Sequence, residues 1–160
     1  MRSMATIGVF GFDCETFLRR LREADVHLLL DVRQRRGVRG PAYAWANARR
    51  LQEALAGAGI AYAHHPELAP TTALRQLQYA EDDRLGVGKR SRQELAAEYT
   101  RRYTAEILDR ADLSALLAGL PGVGIAALLC VERDPEACHR SVIARRLAER
   151  HGVTVAHLRP

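Results

Sequence analysis

The segment Cys130-Val-Glu-Arg-Asp-Pro-Glu-Ala-Cys-His-Arg-Ser141 holds the densest set of reactive side chains in the chain. A thiol beside an imidazole can act as a nucleophile, because the thiolate is the reactive form and the ring can take its proton. Asp134, Pro135 and Glu136 read as a helix start, with the helix able to begin as late as Cys138. Cys138, His139, Arg140 and Ser141 then lie within about one turn of a helix N-terminus, where free N–H groups and the dipole favour an anion. The roles this suggests are Cys130 or Cys138 as nucleophile or polarisable contact, His139 as acid or base, and Glu132 as an orienting carboxylate. Arg140 and Ser141 would hold an anion. The competing reading is structural: two small core cysteines and a hydrogen-bonded buried histidine. Cys130, Cys138 and His139, with His64 or His65, are also potential soft-metal ligands. Their spacing is not the close cysteine pair of most zinc sites, so no metal or cofactor is expected and zinc is the lesser alternative. A Cys130–Cys138 redox pair lacks the Cys-x-x-Cys arrangement.

Two further groups can join this centre. Asp31-Val-Arg33 places a carboxylate next to a bidentate fork suited to phosphate or carboxylate. Asp31 can orient a partner or act as a base, and Arg33 can bind the anion. Alternatively, the two form an internal ion pair. Tyr62 to Glu67 brings two histidines and an acid together, with Tyr62 and His64 as accessory candidates. His64 and His65 are consecutive on a strand and point opposite ways, so at most one faces a site. The segment from Arg33 to Trp45 mixes arginines with Tyr43 and the single Trp. It reads as a base-stacking surface, as a lid over a small anion, or as a solvated loop with Trp45 in the core.

These residues must be positioned by regular elements. Ala5–Phe10 reads as a strand, and Asp13 as the cap of a helix carrying Phe17, Leu18, Leu21 and Ala24. Val26–Val32 is an apolar run suited to a strand buried on both faces. Asn47 caps a second helix, and Ile60–His64 is a third strand stopped by Pro66. A helical insertion follows: Thr71–Ala80, a charged connection Glu81–Arg90, and a long helix capped by Ser91 with Glu94 in a capping box. After Asp112–Leu120 come the most apolar strand, Ile125–Val131, a helix over Asp134–Glu149, and a last strand, Val153–Leu158. This alternation predicts a single α/β domain over residues 1–160. Its mostly parallel five-stranded sheet has helices on both faces, in Rossmann-like or flavodoxin-like layering. Ligands of such sheets bind at the carboxyl ends of the strands, where Asp31, His64, Cys130 and Glu132 all fall.

Bulk properties set the outer bounds. At 160 residues the chain is long enough for one substantial core, with 48% hydrophobic and 27% charged residues. Its three cysteines are too few and too sparse for a disulfide framework. No apolar run reaches the ~18 residues of a membrane span, and the opening Met-Arg-Ser-Met-Ala-Thr lacks a signal-peptide pattern. The cytoplasm is therefore the expected compartment. A net charge of +5 suggests an anionic partner, a phosphate-bearing small molecule or nucleic acid. Walker, dinucleotide-binding and nucleophile-elbow motifs are all missing.

Thr6-Ile-Gly8, Asp31-Val-Arg33, Leu51 to Tyr62 through Gly59-Ile60, and above all Cys130-x-Glu132-x-Asp-Pro-x-x-Cys-His-Arg140 together resemble the domain-of-unknown-function 488 family. The resemblance implies a small α/β domain whose polar motifs meet at one place, and it supplies no reaction. Two stretches depart from the commoner family pattern: the arginine-rich loop after Arg33 and Glu67-Leu-Ala-Pro70. The reading is a small enzyme acting on a phosphate-bearing substrate. The alternative is a non-catalytic nucleic-acid-binding module, linked to DNA repair.

Overall fold

The computed structural model describes residues 2–160. Five strands, β1 (Ser3–Ile7), β2 (Val26–Asp31), β3 (Ala61–His64), β4 (Ile125–Leu129) and β5 (Thr154–Leu158), form one sheet in the order β3-β2-β4-β1-β5. Every pairing is parallel. The register lines up His64, Asp31, Leu129, Ile7 and Leu158 across the carboxyl edge. The α/β class and single five-stranded sheet thus agree with the alternating sequence pattern.

Alternation along the strands divides the core in two. Ala5, Ile7, Leu29, Ala127 and Leu129 face Phe17 and Leu21 of helix α1 (Cys14–Glu23) and Leu51 and Leu55 of α2 (Ala48–Gly57). Met4, Leu30, Ala126, Leu128 and Cys130 face the other layer. That layer holds α3 (Thr72–Leu85), α4 (Ala97–Glu106), α5 (Leu113–Ala118) and α6 (His139–His151). The helices following β1 and β2 therefore cover one face, and those following β3 and β4 cover the other.

Capping explains several of the boundaries, and two boundaries differ from the sequence reading. Asp13 caps α1 in a reciprocal box with Thr16. Asn47 precedes α2 as expected, yet its Oδ1 accepts from the Val38 N–H across the loop instead of capping the helix. The expected helix start at Ser91 is not formed. Ser91 Oγ accepts from the Gly88 N–H, and α4 begins only at Ala97. Helix α3 runs on to Leu85, five residues further than expected, and ends at left-handed Gly86. After β4 a short 3-10 turn over Pro135–Ala137 intervenes, and α6 starts with Cys138 as its N-cap residue. This is the later of the two starts the sequence allows.

Arg140 is completely buried and ties this turn to the sheet. Its Nη1 and Nη2 donate to the carbonyls of Glu132 (2.7 Å) and Arg133 (3.1 Å), and its Nε donates to Thr6 Oγ1 (3.3 Å). Gly8 permits the close approach: a Cβ there would lie 1.9 Å from the Glu132 carbonyl oxygen. Since Thr6 accepts from Arg140, its hydroxyl proton is free to go to His157 Nδ1 at 2.7 Å.

Arg140→Ala is expected to lower unfolding stability by about 3 kcal/mol or more. Two carbonyls lose charge-assisted donors contributing roughly 1.5–3 kcal/mol each. A urea-unfolding difference under about 1 kcal/mol would show that Arg140 does not anchor the turn. A pH dependence should also follow from the same network. Partial burial and the nearby Arg140 charge hold His157 below the usual histidine range. The native state therefore binds fewer protons, and this contribution to stability is lost as pH falls below the ordinary histidine value and through the lowered one. The acid slope of melting temperature should flatten in His157→Gln.

Candidate active site

The helix after β4 covers the face opposite to the helices after its neighbours β1 and β2, so the chain diverges at the carboxyl end of β4. Such divergence leaves a crevice. Here it opens into a cavity of about 500 Å³, within the size range of small-molecule sites. Cys130, Glu132, Cys138 and His139 line it, with Arg33 on the β2 side and Phe10 after β1. The walls are the loop over residues 34–39, helix α3 and the loop over residues 89–95.

The sulfurs of Cys130 and Cys138 and a ring nitrogen of His139 lie within 4.8 Å of one another, and all three residues are buried. His139 Nε2 is 2.9 Å from the Val32 carbonyl, which can only accept, so Nε2 carries a proton. That leaves Nδ1 facing the thiols, 3.7 Å from Cys130 Sγ and 3.8 Å from Cys138 Sγ. Burial pushes the Cys138 thiol up, but a hydrogen bond from Cys130 and the charges of Arg140 and His139 outweigh it, and Cys138 ends well below the ordinary thiol range. Burial and the neighbouring Cys138 push Cys130 well above that range. For His139, burial disfavours the charged ring, and the Cys138 charge and hydrogen bond reverse this, so its pKa rises. Of the two thiols Cys138 is thus the more acidic, with Cys130 and His139 Nδ1 beside it. Chemically the cluster can offer a thiolate, transfer a proton, or ligate a metal ion.

Asp31 and Arg33 form a bidentate buried pair: Arg33 Nε and Nη2 donate to the two carboxylate oxygens at 2.9 and 2.8 Å. Arg33 Nη1 donates to the Ala46 carbonyl, and Tyr62 Oη donates to Asp31 Oδ2 at 2.6 Å. His64 Nε2 meets the Arg33 carbonyl at 3.1 Å. Tyr62 and His64 thus support the Asp31–Arg33 pair from β3, and of these four residues Arg33 alone lines the cavity. Arg140 lies behind the turn it clamps, and Ser141 Oγ donates to the Cys138 carbonyl at 2.8 Å. His65 pairs with Glu67.

Several site residues lie outside the motifs that chemistry singles out. Gln78, Asp82 and Arg92 are nearly fully buried. Gln78 Nε2 and Arg92 Nε both donate to the Asp82 carboxylate, while Arg92 Nη1 donates to the Ala137 carbonyl. Arg92 Nη1 is 3.9 Å from Glu132 Oε1, whereas Arg92 Nη2 and Glu132 Oε2 are buried without a hydrogen-bond partner. Burial raises the Glu132 pKa, and the charge on Cys138 adds to the rise. The sequence carries a trace of this network: Leu74, Gln78 and Asp82 share one helix face, so an apolar stripe turns polar where it reaches the cavity. Arg35, Arg39, Arg75, Lys89 and Arg90 also line the cavity; among the described residues none forms an ion pair with a carboxylate, though the Lys89 charge opposes the rise at Glu132. Trp45 and Tyr43 turn inward, against Phe17 and Phe10 respectively.

The family model for the domain of unknown function DUF488 matches residues 13–147. The chain belongs to that family. The matched stretch contains Asp31-Val-Arg33 and the whole Cys130–Arg140 motif, and it leaves out Thr6–Gly8. No curated protein and no solved structure matches the chain.

In chelator-washed protein, thiolate absorbance should rise first in a step below the ordinary cysteine range. Cys138→Ser should remove that step, because partly exposed Cys14 and buried Cys130 both titrate higher. A low step surviving in Cys138→Ser would move the charge to Cys130. Asp31→Asn should destabilise by about 3–5 kcal/mol by stranding Arg33, and Tyr62→Phe by about 1 kcal/mol, readable in one denaturation series.

Proposed function

We propose that this DUF488 chain is an enzyme acting on a phosphate-bearing substrate, a nucleotide or nucleic-acid constituent, held above Cys130, Cys138 and His139. The observation that carries this reading is the pairing of a cationic lining with a reactive floor. Arg35, Arg39, Arg75 and Arg90 line one cavity without carboxylate ion-pair partners among the described residues, and Lys89 lines it near Glu132. Charge left uncompensated in a concave, partly desolvated site attracts and orients an anion. The volume suits a ligand of nucleotide size, and the buried Cys–Cys–His cluster lies at its base.

The roles follow from position. Arg39 and Arg90 hold phosphate oxygens, since they face the cavity and have no carboxylate ion-pair partner, and Lys89 serves both the ligand and Glu132. Arg33 lines the floor with its fork fixed and its charge matched by Asp31. His139 transfers a proton at Nδ1, with Nε2 held by the Val32 carbonyl. Glu132 is the second proton-carrying group, and Arg92 holds it near the cluster. Arg140 and Asp31 act through the backbone and Arg33 that they position.

A non-catalytic nucleic-acid-binding module is the alternative, and aromatic placement weighs against it. Single-strand binders expose aromatic faces for base stacking. Trp45 and Tyr43 instead pack against Phe17 and Phe10.

Calorimetric titration with inorganic phosphate and nucleoside phosphates is the test. Lys89→Glu and Arg90→Glu should each weaken binding about tenfold or more, the equivalent of one lost charge-assisted contact. Cys138→Ser should abolish turnover of the bound ligand while leaving its affinity within a few fold. Phosphate affinity indifferent to both charge reversals would overturn the reading.

A further inference from the structure

The three groups at the base of the cavity have the donor set of a tetrahedral metal centre and nitrogen–sulfur distances close to those it needs. For zinc, metal–sulfur bonds of about 2.3 Å and metal–nitrogen bonds of about 2.0–2.1 Å put a ligand nitrogen roughly 3.5–3.6 Å from each ligand sulfur. His139 Nδ1 lies 3.7 Å from one sulfur and 3.8 Å from the other. The ring is also presented as a metal-bound histidine is. Its Nε2–H is held by a backbone carbonyl, which fixes the tautomer with the Nδ1 lone pair towards the sulfurs. Cys130 is the first residue past β4, and Cys138 and His139 are the N-cap and first residue of α6. The ligands therefore stand at the ends of two elements, eight residues apart, rather than in a close-spaced knuckle.

We infer that Cys130 Sγ, Cys138 Sγ and His139 Nδ1 bind a zinc-class divalent cation, with its fourth position open to the cavity. No fourth sulfur or imidazole joins the group among the described residues. All three ligand residues line the cavity, so the remaining position faces the space in which a substrate would sit. A three-ligand centre of this kind is the catalytic type of zinc site, which keeps a place for water or substrate. Glu132 supplies a second, independent sign: it is buried on the same wall, and Oε2 has no partner within the protein. A buried carboxylate oxygen without a donor is costly unless a ligand, such as a metal-bound water, supplies one. Arg92 Nη2 on the same wall is likewise without an acceptor.

The inference rests on the proposed substrate reading only for what enters the fourth position. It changes the part played by the sulfurs and by His139 Nδ1, which become ligands instead of an attacking group and a proton carrier, and leaves Glu132 as the proton-carrying group. When bound, the ion supplies a Lewis acid and a water more acidic than bulk water. Binding releases protons from the thiols, so metal affinity rises with pH.

The full-length chain, stripped by chelator, is titrated with Co²⁺ and then with Zn²⁺ against a chromophoric competitor. One equivalent of Co²⁺ should give sulfur-to-metal charge-transfer absorption and intense tetrahedral bands, both erased by one equivalent of Zn²⁺. Cys130→Ser and Cys138→Ser should each weaken Zn²⁺ binding by about a hundredfold or more, and Cys14→Ser should leave it unchanged. If a floor variant does not fold, as judged by circular dichroism, the wild-type Co²⁺ spectrum and His139→Gln decide. Cobalt bands of octahedral, sulfur-free type, or Zn²⁺ affinity unmoved by both floor cysteine changes, would overturn the inference. Phosphate titration of the metal-free protein separates the two proposals. Zinc bound without phosphate sinks the substrate reading alone, and phosphate bound without zinc sinks the metal site alone.

Discussion

A guanidinium with no solvent contact must place its donors on fixed acceptors, and in this protein the acceptors of Arg140 define the site. Its two terminal nitrogens hold consecutive carbonyls of the segment leaving β4, and its Nε reaches Thr6 on the adjacent strand. The turn from Glu132 to Cys138 is thereby drawn against Gly8, where any side chain would collide with the Glu132 carbonyl. Cys130 and Cys138, eight positions apart in sequence, meet because of that turn. Without the buried cation two carbonyls of the turn lose their charged donors.

The same economy recurs around the cavity, where buried arginines organise backbone and surface-facing ones remain uncommitted. Arg33 is locked by Asp31, Tyr62 and the Ala46 carbonyl; Arg92 is locked by Asp82 and the Ala137 carbonyl. Arg35, Arg39, Lys89 and Arg90 have no such commitments. This division matters for function, because a cation already neutralised by a carboxylate adds little field for a ligand. A cation on the rim of a low-dielectric hollow keeps more of its field. Arg90 lies over the rings of Phe10 and Tyr43, which positions it without discharging it.

Electrostatics and shape also agree about the floor. The imidazole is oriented by a carbonyl that can only accept, so the ring presents one nitrogen to two sulfurs at nearly equal distance. Glu132 and Arg92 flank it with one unpartnered polar atom each. Buried groups left unsatisfied in this way are rare in a finished core and are characteristic of a site that awaits a ligand. Among the described residues, no helix is long and apolar enough to cross a membrane.

Much of this was legible in the sequence, for reasons that are local. Strand and helix alternation, the apolar runs of β2 and β4, the Asp13 cap, and the Cys130–Arg140 motif all follow from residue periodicity and side-chain reach over a few positions. The capping-box pattern at Ser91 does not form a helix start, because its hydroxyl bonds the Gly88 backbone and tertiary bonds from Leu95 and Ala96 to Glu136 and Gln78 keep residues 92–96 out of helix. Which arginine serves the fold and which faces a ligand is not written in composition. Arg33 and Arg39 look alike in sequence, and burial beside Asp31 separates them. Nor could spacing show that Cys130, Cys138 and His139 form a compact ligand set, since seven intervening residues place no limit on where a turn sends them. That was decided by the sheet order, which opens a crevice at the end of β4, and by Arg140, which folds the turn back into it.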